Sequence, residues 1–343
     1  MTPTAPPAAR AVPGAPRRVV VTGSSGFLGR ALCTALAARG DAVTGIDCAA
    51  PPHDAAWPSL TADLAEAGPW ADALADADLV VHTAARVGEA GTPAEFDRAS
   101  VETTRRVVDA CADARGGAGV GRLVHVSSVV VHGRDFPDGV DETGPLRPTG
   151  NPYTDAKVAS ERVVIAAIAE RRARATVVRP GDVYGPGSAQ WTVRAVEMLR
   201  AGRFALVDGG RGVLSPVYVS DVVAGILAAA DAPAGEGETF HITGGVGVSP
   251  RVFFGRYAAM LGVPLRSVPY PIAVAAAPLV AALFRVAGRE APLSGRTLEY
   301  VTHPGTYSVA NAARLLGWHP AVSLDEGMRR TEAWLRGEGL VGG

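Results

Sequence analysis

The sequence predicts an α/β protein: a doubly wound parallel sheet with a smaller, partly helical C-terminal part. Three observations carry this expectation. Short apolar runs recur along the first half of the chain, of the kind found in buried parallel strands. Helical patterns lie between them, so strand and helix alternate. The first run ends in a glycine-rich turn that opens a helix, the setting in which backbone can approach a pyrophosphate.

Taken in order, Arg18 to Thr22 is a β-branched run that leads into Gly23-Ser24-Ser25-Gly26-Phe27-Leu28-Gly29. A helical pattern follows from Ala31 to Arg39, and Gly40 stops it. Ala42 to Ile46 reads as the next strand, closed by Asp47. Leu79 to His82 and Leu123 to Val126 are further strands, separated by a helical stretch from about Thr92 to Ala114. A helix is expected from near Tyr153 to about Arg172, and Thr176 to Arg179 returns as a strand. After Pro186 the alternation loosens. Residues 17–186 are thus expected to form a nucleotide-binding domain, with 219–232 packing back on it as a helix. Segments 187–218 and 233–343 are expected to form the substrate-binding domain. Residues 1–16, with Pro3, Pro6, Pro7, Pro13 and Pro16, read as a disordered tail.

The bulk numbers narrow the function classes. The chain has 343 residues, 48% hydrophobic and 20% charged, with a formal net charge of −1. Such a balance gives no reason to expect nucleic acid or an acidic membrane as partner. Cys33, Cys48 and Cys111 are scattered without metal spacing, so no metal is expected and a reducing cytoplasm is the simplest home. The apolar run Ile272 to Phe284 is shorter than the ~20 residues that span a bilayer, and Pro278 interrupts it. A buried helix, a lid over an apolar pocket or a dimer surface are the readings it leaves.

Two constellations carry chemistry. In the turn, Gly23 permits the tight bend, Gly26 lets backbone approach a pyrophosphate, and Gly29 allows helix to pack on strand. The helix N-terminus then offers N–H donors and a positive dipole to the phosphates. Asp47 lies 24 positions past Gly23 (47 − 23), where an acid accepts hydrogen bonds from the ribose hydroxyls of an adenosine. A carboxylate there repels a 2′-phosphate, and Cys48, Ala49 and Ala50 offer no cation, so NAD is preferred over NADP. The second constellation is Tyr153 and Lys157, four apart on one helix face. A cation near a phenol lowers its pKa from ~10 and fits it for general acid–base work.

These residues sit within a longer ordered set. Thr22 to Gly29, Asp63-Leu64, Val81-His82-Thr83-Ala84-Ala85, Val126-Ser127-Ser128, Tyr153-x-x-x-Lys157 and Arg179-Pro180-Gly181-Asp182-Val183-Tyr184-Gly185-Pro186 follow one another with suitable gaps. Together they resemble the extended short-chain dehydrogenase/reductase superfamily, the NAD-dependent epimerase/dehydratase group, over about residues 17 to 337. The resemblance implies a Rossmann-type sheet domain, a homodimer, and Tyr153 as acid/base. It implies that Lys157 lowers the phenol's pKa and binds the nicotinamide ribose, while Ser128 holds the reacting oxygen. Asp63 and Leu64 would flank the adenine, Thr83, Ala84 and Ala85 would line the cofactor groove, and Pro180 to Val183 would border the nicotinamide. Two departures stand out. Ser100 replaces a customary Asn and Thr103 a customary Gly, which puts in question the Asn support of the active site and the closeness of helix packing. His132 stands where many relatives carry Tyr and reads as a polar residue near the pocket mouth.

For substrate, the position where nucleotide-sugar members carry a diphosphate-gripping Arg corresponds to Leu214. Asp182 replaces a usual Asn and would repel a phosphate, while Arg211 is a nearby substitute cation. The C-terminal half, with Ala291-Pro292-Leu293-Ser294 and Tyr307 to Pro320, is similar to the 3β-hydroxysteroid dehydrogenase-like branch. The resulting expectation is hydride transfer to or from a secondary alcohol or ketone on a bulky apolar substrate, of hydroxysteroid or 3-keto acid type. The alternatives are a nucleotide-sugar epimerase or dehydratase using the same Ser, Tyr and Lys, and a non-catalytic NAD-binding scaffold.

Overall fold

The apolar runs pair side by side and in the same direction. In the computed structural model, which describes residues 15–342 apart from 89, 118, 287–299 and 301, the first six strands are β1 (Arg18–Thr22), β2 (Ala42–Asp47), β3 (Ser59–Thr61), β4 (Leu79–His82), β5 (Leu123–Val126) and β6 (Ala175–Pro180). Then come β7 (Asp182–Tyr184), β8 (Ala205–Val207), β9 (Pro216–Tyr218), β10 (Thr239–Ile242) and β11 (Arg266–Val268). The main sheet has the order β10-β6-β5-β4-β1-β2-β3 and every neighbouring pair is parallel. The chain builds outward from β1 to β3, returns to β4 beside β1, and builds outward again. The carboxyl ends of β1 and β4 therefore flank the switch point, where α/β sheets open a crevice for ligands.

Helices α1 (Phe27–Ala38), α2 (Trp70–Ala75), α3 (Pro93–Phe96), α4 (Thr103–Gly117), α5 (Pro152–Ala169), α6 (Arg194–Arg200) and α7 (Val219–Asp231) follow the chain. They are succeeded by α8 (Pro250–Leu261), α9 (Tyr270–Val286), α10 (Ala310–Leu316) and α11 (Leu324–Gly337). Strand periodicity sets the two layers. Val19 and Val21 of β1 face a core with Leu32, Leu36, Val222 and Ile226 of α1 and α7, while Val20 faces Leu74, Val107, Val108 and Val164 of α2, α4 and α5. A third core, with Tyr184, Leu199, Leu206, Phe253, Tyr257 and Met328, holds the C-terminal part. Each such side chain contributes ~1.5–3 kcal/mol on burial.

Some expectations need correction. Thr239–Ile242 is the seventh strand of the main sheet, and Ala312 and Trp318 join its core, although 233–343 was assigned to the smaller domain. A four-residue strand containing His241 has no periodicity that separates it from its surroundings. Ser59–Thr61 was not anticipated, because Ser-Leu-Thr is no apolar run. Within the expected helix near residues 92–114, Asp97–Glu102 is π-helical between α3 and α4. The apolar run becomes α9, but Ile272 and Val274 are exposed and it does not line the substrate cavity described below, so a lid is not what the described residues show. Among the described residues, no helix is long and apolar enough to cross a membrane. Residues 1–14 and Ala291 to Ser294 lie outside the described residues.

Candidate active site

The site begins where β1 ends. Gly23 turns with φ of 74°, and a Cβ there would stand 2.7 Å from Ala84 N and from Thr83 Oγ1. A Cβ on Gly29 would lie 2.0 Å from Gly23 O, so only glycine lets α1 approach the strand this closely. Gly26 is the N-cap of α1 and no side chain caps it. The orphan N–H groups of that first turn stay available to an anion. Asp47 closes β2, where its carboxylate accepts from Ser25 N and Ala49 N, both at 2.9 Å. Thr83 Oγ1 donates to Thr22 O at 2.7 Å, tying β4 to the turn. Glycine-sized space, an open helix end and a ribose-facing acid fit a nicotinamide dinucleotide.

The residues expected to hold that cofactor line one groove of about 750 Å³. They are Gly23, Ser25, Gly26, Phe27, Leu28 and Gly29 from the turn, Asp47 after it, and Asp63 and Leu64 beyond β3. Thr83, Ala84 and Ala85 come from the end of β4, Tyr153 and Lys157 from α5, and Pro180 and Val183 from the end of β6 and from β7. Arg98, Thr103, Gln190 and Trp191 also line it and were not foreseen. Arg98 pairs with Asp63 at 2.8 Å and Glu66 at 2.7 Å. Ser100, in place of the customary Asn, accepts from Arg86 N at 3.2 Å inside the π-helical segment, and Thr103 Oγ1 donates to Arg98 O at 3.2 Å.

The acid–base cluster is fixed by local structure. Asn151 caps α5 by accepting from Tyr153 N at 2.9 Å and Thr154 N at 3.4 Å, with Pro152 at the first helical position. This orders the turn carrying Tyr153, and Lys157 lies one turn further on the same face. Ser128 follows β5 and caps the short 3₁₀ turn Val129–His132, its Oγ accepting from Val130 N at 3.4 Å, and with Tyr153 it lines the groove. Lys157 is buried, and its Nζ donates to Val126 O at 2.9 Å. Burial pushes the phenol above its usual range, opposed by the neighbouring Ser128 hydroxyl. Burial also brings the ammonium down to about 8, against the pull of Glu161. The ammonium is thus directed to Val126 O, and the phenol stands above its usual range, where a depression by Lys157 was the expectation.

Behind the cluster lies a buried polar network. Ser127 Oγ donates to Glu161 at 2.5 Å, and Glu161 pairs with Arg179 at 2.5 Å with both side chains buried. Arg179 meets His132 Nε2 at 3.2 Å, and His132 meets His241 Nε2 at 2.9 Å. His132 is thus fully buried and does not line the substrate cavity, which corrects its placement at a pocket mouth. Neighbouring charge and desolvation hold it neutral, down to about 4, with burial the larger cause.

A second cavity, of about 270 Å³, shares Ser128 and Tyr153 with the groove. Phe136, Trp191, Tyr300, His303 and Tyr307 form much of its wall. Asp182 lines it too, accepting from Ser215 N at 2.8 Å and from the Tyr300 hydroxyl. Burial pushes its carboxyl up to about 6. Leu214 does not line it: its side chain is buried in the third core while Val213 and Ser215 on either side face the cavity, so Leu214 as a substrate contact is corrected.

A dinucleotide groove that meets a Ser, Tyr and Lys cluster at the switch point defines a nicotinamide-dependent oxidoreductase. The chain belongs to the NAD-dependent epimerase/dehydratase family, whose family model matches residues 19–243. It is 30% identical over 332 residues to the 2-alkyl-3-oxoalkanoate reductase of Stenotrophomonas maltophilia, covering 92% of this chain and 98% of that one. It is 32% identical to the 4-hydroxy-2-methyl-3-oxo-4-farnesyl-3,4-dihydroquinoline-1-oxide ketoreductase of Stigmatella aurantiaca, over 91% of this chain and 94% of that one. Among solved structures, MoeE5 in complex with UDP-glucuronic acid and NAD is similar with a TM-score of 0.75 and 26% identity, covering 94% of this chain and 99% of that chain.

Proposed function

We propose that this chain transfers hydride between nicotinamide and the secondary alcohol or ketone carbon of a bulky, apolar substrate, with Tyr153 as acid/base. One observation carries the reading: Ser128 and Tyr153 form a wall common to the dinucleotide groove and the aromatic cavity. A substrate oxygen there meets both hydroxyls while its carbon faces the groove. The bound cofactor supplies or accepts the hydride. Ser128 orients the substrate oxygen, Tyr153 holds the proton that oxygen gains or gives up, and Lys157 supplies positive charge behind the phenol. The aromatic walls favour apolar ligands. Two ketoreductases among the relatives support this reading.

A nucleotide-sugar reaction is the second reading, favoured by the likeness to MoeE5. Leu214 in the core and Asp182 in the cavity weigh against it, because a diphosphate would lack charge-assisted hydrogen bonds at both. A melting screen with NAD or NADP plus steroids, 3-keto compounds and nucleotide sugars separates the two. The oxidoreductase reading expects stabilisation by an apolar ketone together with its net turnover. Stabilisation only by UDP- or dTDP-sugars, with no net change in cofactor oxidation state, would replace it.

Asp47 is the proposed basis of a preference for NAD. Asp47→Ala is expected to weaken NAD about 10- to 100-fold, the scale of a hydrogen bond to a charged group, and to narrow its lead over NADP. Titration of both cofactors checks this. The Lys157 ammonium, at about 8, is charged below that pH and neutral above it. The kcat/KM for ketone reduction is therefore expected to fall as pH rises through about 8, and Lys157→Met to lose that limb together with most activity.

A further inference from the structure

Asp182 stands in the cavity wall with its side chain almost wholly buried. Oδ2 accepts the Ser215 N–H at 2.8 Å and Oδ1 accepts the Tyr300 hydroxyl. Burial pushes this carboxyl up to about 6 against the two hydrogen bonds, so above that pH it stands as the carboxylate. Among the described residues, no cation stands within ion-pair distance of it. Arg134 is the only guanidinium among the described lining residues, and it is exposed, so solvent and salt screen it. The opposite walls are flat: Phe136 stacks on His303 at 4.1 Å and lies 4.9 Å from Tyr307. Asp182 is also close enough to Tyr153 for its charge to push the phenol up.

An anion bound beside the reacting carbon therefore meets a like charge fixed on a buried side chain, where repulsion is less screened than in bulk water. We propose that Asp182 is a specificity-determining residue that excludes alcohols and ketones bearing a carboxylate next but one to the reacting carbon and admits their neutral counterparts. The inference rests on Tyr153 being the acid–base group of the function proposed above. It turns this chain away from 3-keto acids and towards neutral ketones, in contrast to a relative whose name makes it a 3-oxoalkanoate reductase.

The test compares 3-hydroxydodecanoate with its methyl ester, oxidised by the full chain with NAD. The ester is expected to have a kcat/KM at least ~10-fold above the acid. Asp182→Asn, which keeps the shape and removes the charge, is expected to bring the ratio near one. Tyr300→Phe removes a hydrogen bond that holds the carboxylate and leaves the carboxyl in place, so at pH ~8.5 it is expected to weaken the preference without abolishing it. Asp182→Ser replaces the first variant should that one fail to fold, as judged by its NAD-induced melting shift. A wild-type ratio near one, or a ratio that charge removal leaves unmoved, overturns the filter. If neither compound is oxidised, hydride transfer has failed for this class, and the filter is read from binding instead. A melting shift given by the ester and not the acid then sustains it, while equal shifts, or none from either, overturn it.

Discussion

Tyr153→Phe is expected to lower turnover at least ~100-fold, the scale of general acid–base catalysis, while NAD binding stays nearly intact. The phenol lines the groove and the cavity together with Ser128, and its ring packs beside Phe96 at 6.5 Å. Phe keeps the ring and removes only the hydroxyl. Cofactor binding draws on the glycine turn, Asp47 and the rest of a groove to which Tyr153 adds one wall. Steady-state rates and NAD titration on the same preparation check both halves, and undiminished turnover would take Tyr153 out of the reaction. Equal loss of NAD binding would make it a structural residue of the groove.

The second large effect is expected behind the site. Arg179→Met leaves Glu161 buried with Ser127 as its remaining partner. Breaking a buried ion pair in this way costs about 3–5 kcal/mol, because one charge stays in low dielectric without its paired guanidinium. The double variant Glu161→Leu with Arg179→Met is expected to recover a large share of that loss, since it removes both charges together. Urea unfolding of the single and double variants measures this, and a single variant as stable as the wild type would show the pair to be dispensable. Activity is expected to fall with stability, as Ser127 adjoins Ser128 and its hydroxyl is held by Glu161.

Much of this architecture was legible in the chain. Leu79–His82 and Leu123–Val126 appear as strands at the expected bounds, because a strand covered on both faces reads as a largely apolar run, here broken only by His82 and His125. The cofactor groove was legible because its glycines act through contacts between near neighbours, such as Gly29 against Gly23 O. The register of Tyr153 and Lys157 was legible because helical periodicity alone puts them on one face. Other features had no local signal. The hydrogen bond between His132 and His241 joins positions 109 apart, and Asp182 meets Tyr300 118 apart. No pattern in either stretch announces its partner, so His132 looked like a pocket residue and proved to be part of a buried network.

By itself, then, the sequence determined the alternation of strand and helix, the turn that can cradle a pyrophosphate and the spacing of phenol and ammonium. Each follows from steric or periodic rules that act over a few residues. Only the tertiary structure decided that Phe136, Trp191, Tyr300, His303 and Tyr307 converge on one cavity, that Leu214 turns into the core, and that Asp182 lines the cavity with Ser128 and Tyr153. Those placements depend on how distant segments pack around the end of the sheet, and burial and contact energies between remote residues, not local preference, set that packing.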